Sequence, residues 1–431
     1  MKSTLLELSL GLRSGSTSPS QAVVEALRRV EEMEPAVRAW VTLDIDGALQ
    51  QAWELERSQS SRTALWGVPV AIKDLIDVRG LPTACGSPLR GKEPAVADAE
   101  CVRLLRKSGA IIMGKTVTTE FGYFKPGPTR NPVNLSHTPG GSSSGSAAAV
   151  AAGMVPLALG TQTAGSLTRP ASYCGVAGFV SAKGQFSTAG VTGLSQSLDS
   201  IGLITQTVDD LRFTMEALGG LGATSESSKP QTGPVKILFW NGSELGNLSK
   251  EMHDALKITG SILFERKKEF IVSNWSDHKM LQVLAHQHHV IMASEASQER
   301  ADEMNHLDDL SAPLVELLLY GSTLSELEYK AALARIAAYK DTVLALFNRF
   351  DVVLGPAALG AAPAGLEATG SPVLSRPWQA LGLPVLTIPG LRGAHGMPLG
   401  LQLIGAPGRE RRLFDLGVRI EELLRAGGVG H

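Results

Sequence analysis

The chain has 431 residues, of which 43% are apolar and 19% charged, the balance of a globular protein with a sizeable core. Its 40 basic and 42 acidic residues leave a formal net charge of −2, so nothing asks for nucleic acid or an anionic membrane as partner. Cys85, Cys101 and Cys174 show no CxxC spacing and suit a reducing cytoplasm better than a disulfide framework.

Glu7 interrupts the apolar residues near the start, so a signal peptide is not expected, and no apolar run reaches the length of about 18 residues that marks a membrane span. Residues 4–12 and 19–34 read as surface helices, the second capped by Ser18 or Ser20. Residues 37–44 read as a strand, followed by a helix to about Ser58. Residues 67–78 (GVPVAIKDLIDV) are an apolar, β-rich run with Lys73 near its middle. A helix over 99–108 and a buried strand over 110–114 lead into an irregular Gly/Pro loop, 121–132. Residues 147–154 predict a buried small-residue helix, capped by Ser144 or Ser146, and 155–159 a short buried strand. Beyond it come a strand at 200–205, a helix over 208–218, a linker at 219–233 and a strand at 235–240. The stretch 249–350 reads as mostly helical, less regular at 303–322. Strands at 351–356, 383–389 and 400–405 precede an amphipathic helix over 409–425. Helices alternating with short apolar strands argue for an α/β core.

The chemistry gathers in 138–184. Two glycine-rich, hydroxyl-rich turns, PGGSSSG (139–145) and GTQTAGS (160–166), flank the predicted helix and strand. Their apolar interior excludes a flexible linker, and neither turn ends in the Gly-Lys-Ser/Thr of a Walker loop. Such turns bring backbone N–H groups into an anion-binding concavity and place serines from both turns together. Several nucleophile patterns fail. His137 lies near Ser142 without an acid to orient it. His286, His288 and His289 lie in a helix and read as a packed or solvated face, not a zinc site. Residues 141–145 spell GxSxG around Ser143, but no apolar strand runs into them. Cys174 sits in an apolar context and reads as structural. Serine with lysine remains. Lys73 ends an apolar run, where its ammonium is costly to bury unless neutral or well hydrogen-bonded. An ion pair with Asp74, or a strand-end lysine reaching for solvent, stays equally open.

GVPVAIKDLIDVRGLPTACGS, PGGSSSGSAAAVAAG and LALGTQTAGSLTRPASYCGVAGF together resemble the amidase signature family. SLDSIGLITQTVDDL, DVVLGPAALGAAP, GLPVLTIPG and GMPLGLQLIG extend the likeness over nearly the whole chain. The resemblance implies a single large α/β domain over 1–431, with a mixed, twisted central sheet covered on both faces by helices. Its signature core would span about 60–205, and a variable helical region at about 249–350 would form part of the substrate pocket. It also implies a serine amidohydrolase with a Ser–cis-Ser–Lys triad. Carried over by position, Ser166 is the nucleophile, Ser142 the bridging serine after a cis peptide, and Lys73 the base. The backbone N–H groups of Thr163, Ala164 and Gly165 would form the oxyanion hole.

The sequence departs from the common pattern around the nucleophile. Gln162 stands for an Asp, Ala164 for a Gly, and Arg169 follows Ser166 by three residues instead of two. Val180-Ser181 replaces the usual Lys-Pro. The Gln and the later Arg are similar to the malonamidase-like branch, which implies Thr161, Gln162 and Arg169 as substrate-binding residues for a small acid-bearing amide; a structural Arg169 is the alternative. The expected substrate is a small-molecule amide, with carbamate (urethane) or aryl-amide hydrolysis by the same triad as the alternative. A component of an amidotransferase, working with partners, is a further one. No metal or organic cofactor, nucleic acid or membrane is expected; a cytoplasmic homodimer fits the resemblance.

Overall fold

The computed structural model describes residues 4–58, 61–221 and 233–426. Eleven strands run in chain order: β1 (Trp40–Leu43), β2 (Pro69–Lys73), β3 (Ile111–Thr116), β4 (Leu157–Gln162), β5 (Ala177–Val180), β6 (Ser200–Thr205), β7 (Val235–Phe239), β8 (Phe270–Asn274), β9 (Val352–Pro356), β10 (Val385–Arg392) and β11 (Pro398–Ile404). They form one sheet in the order β1-β3-β2-β4-β6-β5-β10-β11-β9-β7-β8. β2 is parallel to β3 and β4, and β7 is parallel to β8 and β9, while the strands between these trios are antiparallel. The expected single α/β domain with a mixed sheet and helical cover is therefore present. β2, β3 and β4 are buried along their whole length, as parallel strands under helices on both faces must be. Among the described residues no helix is long and apolar enough to cross a membrane.

Local rules explain most boundaries. Ser18 caps the helix Pro19–Val37 by accepting from Gln21 N, with Pro19 at its first turn. The small-residue helix starts earlier than expected, Ser144–Ala152, and ends at Gly153 in the left-handed region. Neither Ser144 nor Ser146 caps it. Ser143 holds the cap position without a side-chain bond. The hydroxyls instead tie the buried helix to its neighbours: Ser144 Oγ donates to the Val117 carbonyl at 3.3 Å and Ser146 Oγ to the Leu159 carbonyl at 2.8 Å. A helix without water around it has more to gain from satisfying those side chains than from capping.

The stretch 249–350 is mostly helical, as expected, and differs from the reading in two places. Residues expected to be irregular contain a full helix, Ala312–Thr323. Its Pro313 sits at the helix start, and Gly321 permits close packing: a Cβ there would collide with the Ala293 carbonyl of the helix Met280–Glu299. A residue that reads as a breaker is a helix–helix contact point. β8 escapes the sequence pattern because it is an edge strand whose burial is irregular, with Ile271 45% exposed. The expected linker at 219–233 lies mostly outside the described residues.

Candidate active site

Lys73 is the last residue of β2, and Thr161 lies near the end of the parallel neighbour β4, where Ile72 pairs with Leu159. Carboxyl ends of parallel strands open into the crevice where α/β sheets bind ligands. Lys73 is fully buried, and its Nζ donates to Ser142 Oγ at 2.7 Å and Thr161 Oγ1 at 2.8 Å. Asp74 does not pair with it. That carboxylate, on the other side of the strand, takes Lys115 Nζ at 2.9 Å, which also donates to Thr83 Oγ1 at 2.9 Å. Of the readings open for Lys73, the desolvated lysine is the one found. Burial pushes its ammonium down to about 7, with the negative charge of Asp199 the strongest opposing influence.

The two glycine-rich turns meet at this lysine. The Gly141–Ser142 peptide bond is cis, as the resemblance implied. Ser143 N donates to the Ser166 carbonyl at 2.9 Å, which joins the first turn to the second. Gly140 has φ +81° and lies against Pro170, where a Cβ would approach the proline Cα at 3.1 Å, so glycine is required there. Ser142 and Ser166 line one pocket together with Thr163, Ala164, Arg169 and Arg376. Ser143, the centre of the GxSxG match, is fully buried and donates to the Thr161 carbonyl at 3.2 Å. Cys174 is 3% exposed and its thiol is pushed up by burial.

The turn after β4 is held from two sides. Thr163 Oγ1 hydrogen-bonds the Asp199 carboxylate, whose other oxygen accepts Leu194 N at 2.9 Å and Ser195 N at 3.0 Å. The Thr163 carbonyl lies 2.7 Å from His288 Nε2. Burial, and secondarily Arg376, push the His288 imidazole down to about 3. At neutral pH it is uncharged, and the nitrogen facing a carbonyl must carry its proton. A carbonyl fixed in this way orients the Thr163–Ala164 peptide, whose N–H points the opposite way. Among the described residues, no backbone carbonyl accepts from the N–H groups of Thr163, Ala164 or Gly165.

The expected substrate-binding residues part company. Gln162 is fully buried, and its Oε1 accepts both Leu167 N and Thr168 N at 3.0 Å, while its Nε2 donates to Gln379 Oε1 at 3.2 Å. It holds the start of the helix Thr168–Cys174 and does not reach the pocket. Thr161 turns its hydroxyl to Lys73 and does not share the pocket wall with Arg169. Arg169 does line that wall, but its Nη2 also donates to the Gly141 carbonyl at 2.6 Å and to Thr369 Oγ1 at 3.3 Å. Sequence reasoning does not find Asp199, His288 or Arg376. Asp199 stands inside the SLDS stretch of a family-like segment, where an acid among apolar residues is a usable signal. His288 reads in sequence as a packed histidine, and Arg376 carries no local signal at all.

Comparison with known proteins places the chain in a family. The amidase family model matches residues 21–414. A glutamyl-tRNA(Gln) amidotransferase subunit from Agathobacter rectalis is 31% identical, covering 98% of this chain and 94% of its own. AmiA2 of Mycobacterium bovis, which bears an amidase name, is 30% identical over 97% of this chain and 92% of its own. A solved amidase is 31% identical with a TM-score of 0.85, covering 97% of this chain and 99% of its own. A structure from a vestigial complex that bears on the origin of an s-triazine catabolic enzyme superposes at TM-score 0.87 with 28% identity, covering 100% of this chain and 99% of its own. The chain belongs to the amidase family, the amidase signature hydrolases of C–N amide bonds.

Proposed function

We propose that the protein is a serine amidohydrolase that cleaves a linear C–N amide bond of a small or medium substrate through an acyl-enzyme on Ser166. The observation that carries this reading is the fully buried Lys73, hydrogen-bonded to Ser142 Oγ at 2.7 Å and, among the described residues, in no ion pair with a carboxylate. A lysine held near neutrality can accept a proton at physiological pH. Neutral Lys73 takes the Ser142 proton as Ser142 takes that of Ser166. The Ser166 oxygen attacks the amide carbonyl. The N–H groups of Thr163, Ala164 and Gly165 receive the developing oxyanion, an interaction worth about 3–4 kcal/mol for a single donor in comparable sites. The proton returns through Ser142 to the amide nitrogen, the C–N bond breaks and the amine leaves. Water, deprotonated by the same relay, then attacks the Ser166 ester and frees the acid.

The same relay would serve a carbamate or an aryl amide. A relative at 31% identity that is part of an amidotransferase supports a second reading, in which ammonia released at Ser166 passes to a partner. The test is release of ammonia or amine from a panel of short amides, carbamates and anilides by the chain alone, with Ser166→Ala as control. Turnover by the isolated chain that vanishes in Ser166→Ala supports the hydrolase. Turnover that appears only with added partner proteins supports the amidotransferase. Turnover that persists in Ser166→Ala overturns both.

A further inference from the structure

The helix Met280–Glu299 carries His288, Met292 and Glu295 at i, i+4 and i+7, so the three share one face. All three are buried. His288 meets the Thr163 carbonyl, and Met292 lines the pocket that holds Ser142 and Ser166. Glu295, two turns beyond His288, faces the loop that leads to Asp199. Ser195 Oγ and Ser197 N donate to its Oε2 at 2.5 Å and 2.9 Å, and Tyr329 Oη donates to its Oε1 at 2.7 Å.

Ser195 stands between two buried carboxylates. Its N–H donates to Asp199 and its hydroxyl to Glu295, while its carbonyl accepts Leu198 N at 3.0 Å and Asp199 N at 2.8 Å. The other oxygen of Asp199 holds the Thr163 hydroxyl. A shift of Ser195 therefore moves Asp199, and with it the residue that opens the nucleophile turn. Burying a carboxylate is costly, and an apolar side chain of similar size often packs such a site as stably. What only the carboxylate supplies is a set of directional, charge-assisted bonds that fix where residues 195–197 sit.

We propose that Glu295 is a positioning residue for the oxyanion turn. Through Ser195 and Ser197 it fixes Asp199, and through Asp199 it fixes Thr163. One helix face then ties the turn at two points: His288 holds the Thr163 carbonyl directly, and Glu295 holds the Thr163 hydroxyl through Asp199. Glu295 itself touches no reacting atom. The proposal rests on the amidohydrolase reading, in which the turn receives the oxyanion.

The test follows labelling of Ser166 by an alkyl fluorophosphonate, whose phosphoryl oxygen takes the place of the oxyanion. Glu295→Met keeps most of the volume and loses all three bonds. It should slow labelling about 10- to 50-fold with unchanged circular dichroism, less than the roughly 100- to 1,000-fold lost with a whole oxyanion donor. Glu295→Gln, whose carbonyl oxygen can still accept from Ser195 and Ser197, should recover most of the rate. Thr163→Val removes the hydroxyl that Asp199 holds, so in that background Glu295→Met should cost less than about two-fold more. Ser195→Ala cuts the same link by removing one hydroxyl, should act in the same direction and should be equally silent in Thr163→Val. It decides the question if Glu295→Met does not fold. Labelling of Glu295→Met at the wild-type rate, a Gln variant no better than Met, or losses that multiply with Thr163→Val would each overturn the proposal. None of these touches the serine hydrolase. A wild type that is not labelled, or labelling that persists in Ser166→Ala, overturns the amidohydrolase reading and this proposal with it.

Discussion

The parallel strands β3, β2 and β4 at one end of the sheet and β8, β7 and β9 at the other are the same three-stranded arrangement, and both open a crevice at their carboxyl ends. At the first end β4 runs into Thr163-Ala164-Gly165-Ser166, and a buried lysine and a pocket stand there. At the second, the residue after β7 is Trp240, fully buried, with its ring 5.1 Å from that of Trp378, which in turn lies 6.2 Å from Trp275. A side chain on Gly355 of β9 would strike Trp240, so no room remains there. One end is plugged by large apolar rings and the other kept open by small residues. Side-chain volume, more than strand arrangement, decides which crevice can hold a ligand. The plug also serves the open end. Trp378 anchors the five-residue helix whose first residue, Arg376, reaches the pocket.

The largest effect should come from breaking the open end. Ser166→Ala is expected to lower kcat by about 10⁴-fold or more with unchanged circular dichroism, the scale seen when a nucleophile is removed from a catalytic relay. A variant that keeps more than a tenth of the activity would put the nucleophile elsewhere. The relay also has a pH signature. In the proposed mechanism Lys73 must be neutral to act as base, and it is held at about 7, so kcat/KM should rise as pH climbs through that value. Asp199 opposes the shift by favouring the ammonium, so Asp199→Asn should move the inflection to lower pH. A profile flat from pH 5 to 9 in wild type would remove Lys73 from the role of base.

Breaking the plugged end should cost stability instead of chemistry. Trp378→Ala is expected to destabilise by about 3–5 kcal/mol, measured by urea unfolding, because the cavity between Trp240 and Trp275 cannot collapse fully. If the loss is below a kilocalorie, the tryptophan cluster is not what fills that crevice. Gln162→Ala sharpens the comparison inside the open end. It strips a buried acceptor from two backbone N–H groups and should cost about 2–4 kcal/mol, with KM little changed in the folded fraction. A selective rise in KM for acid-bearing amides would return Gln162 to the substrate. The smallest effect is expected at His288, whose hydrogen bond goes to the back of the turn, at the Thr163 carbonyl. His288→Leu should lower kcat about 10-fold with KM nearly constant, and His288→Gln, which can still donate, should restore part of it. Equal losses in both variants would make the histidine a packing residue only.

The readability of the site follows chain distance. Lys73, Ser142 and Ser166 stand in dense motifs with recognisable neighbours, and the turns they occupy need glycine for local reasons that spacing reveals. Gln162 and Thr161 stand in the same motif, and the resemblance points both at substrate. Consecutive residues of a strand point to opposite sides, and a motif does not say which side faces the pocket. On β4 the side chain of Gln162 points into the core and that of Thr161 to Lys73. Ser144 and Ser146 fit a helix cap by residue type, yet in a buried helix their hydroxyls find carbonyls of adjacent strands and loops.

The sequence by itself determined the alternation of helices and short apolar strands, the two hydroxyl-rich turns and, through its resemblance, the family. These are local patterns, set by residue volume, φ preference and hydrophobic period. Only the tertiary structure decided that Asp74 belongs to Lys115, so that Lys73 is left without a paired counter-charge. Only it brought His288 and Arg376, on separate helices, to the turn after β4. Burial and charge proximity are properties of the packed chain. No spacing along a sequence encodes which of two lysines meets a carboxylate.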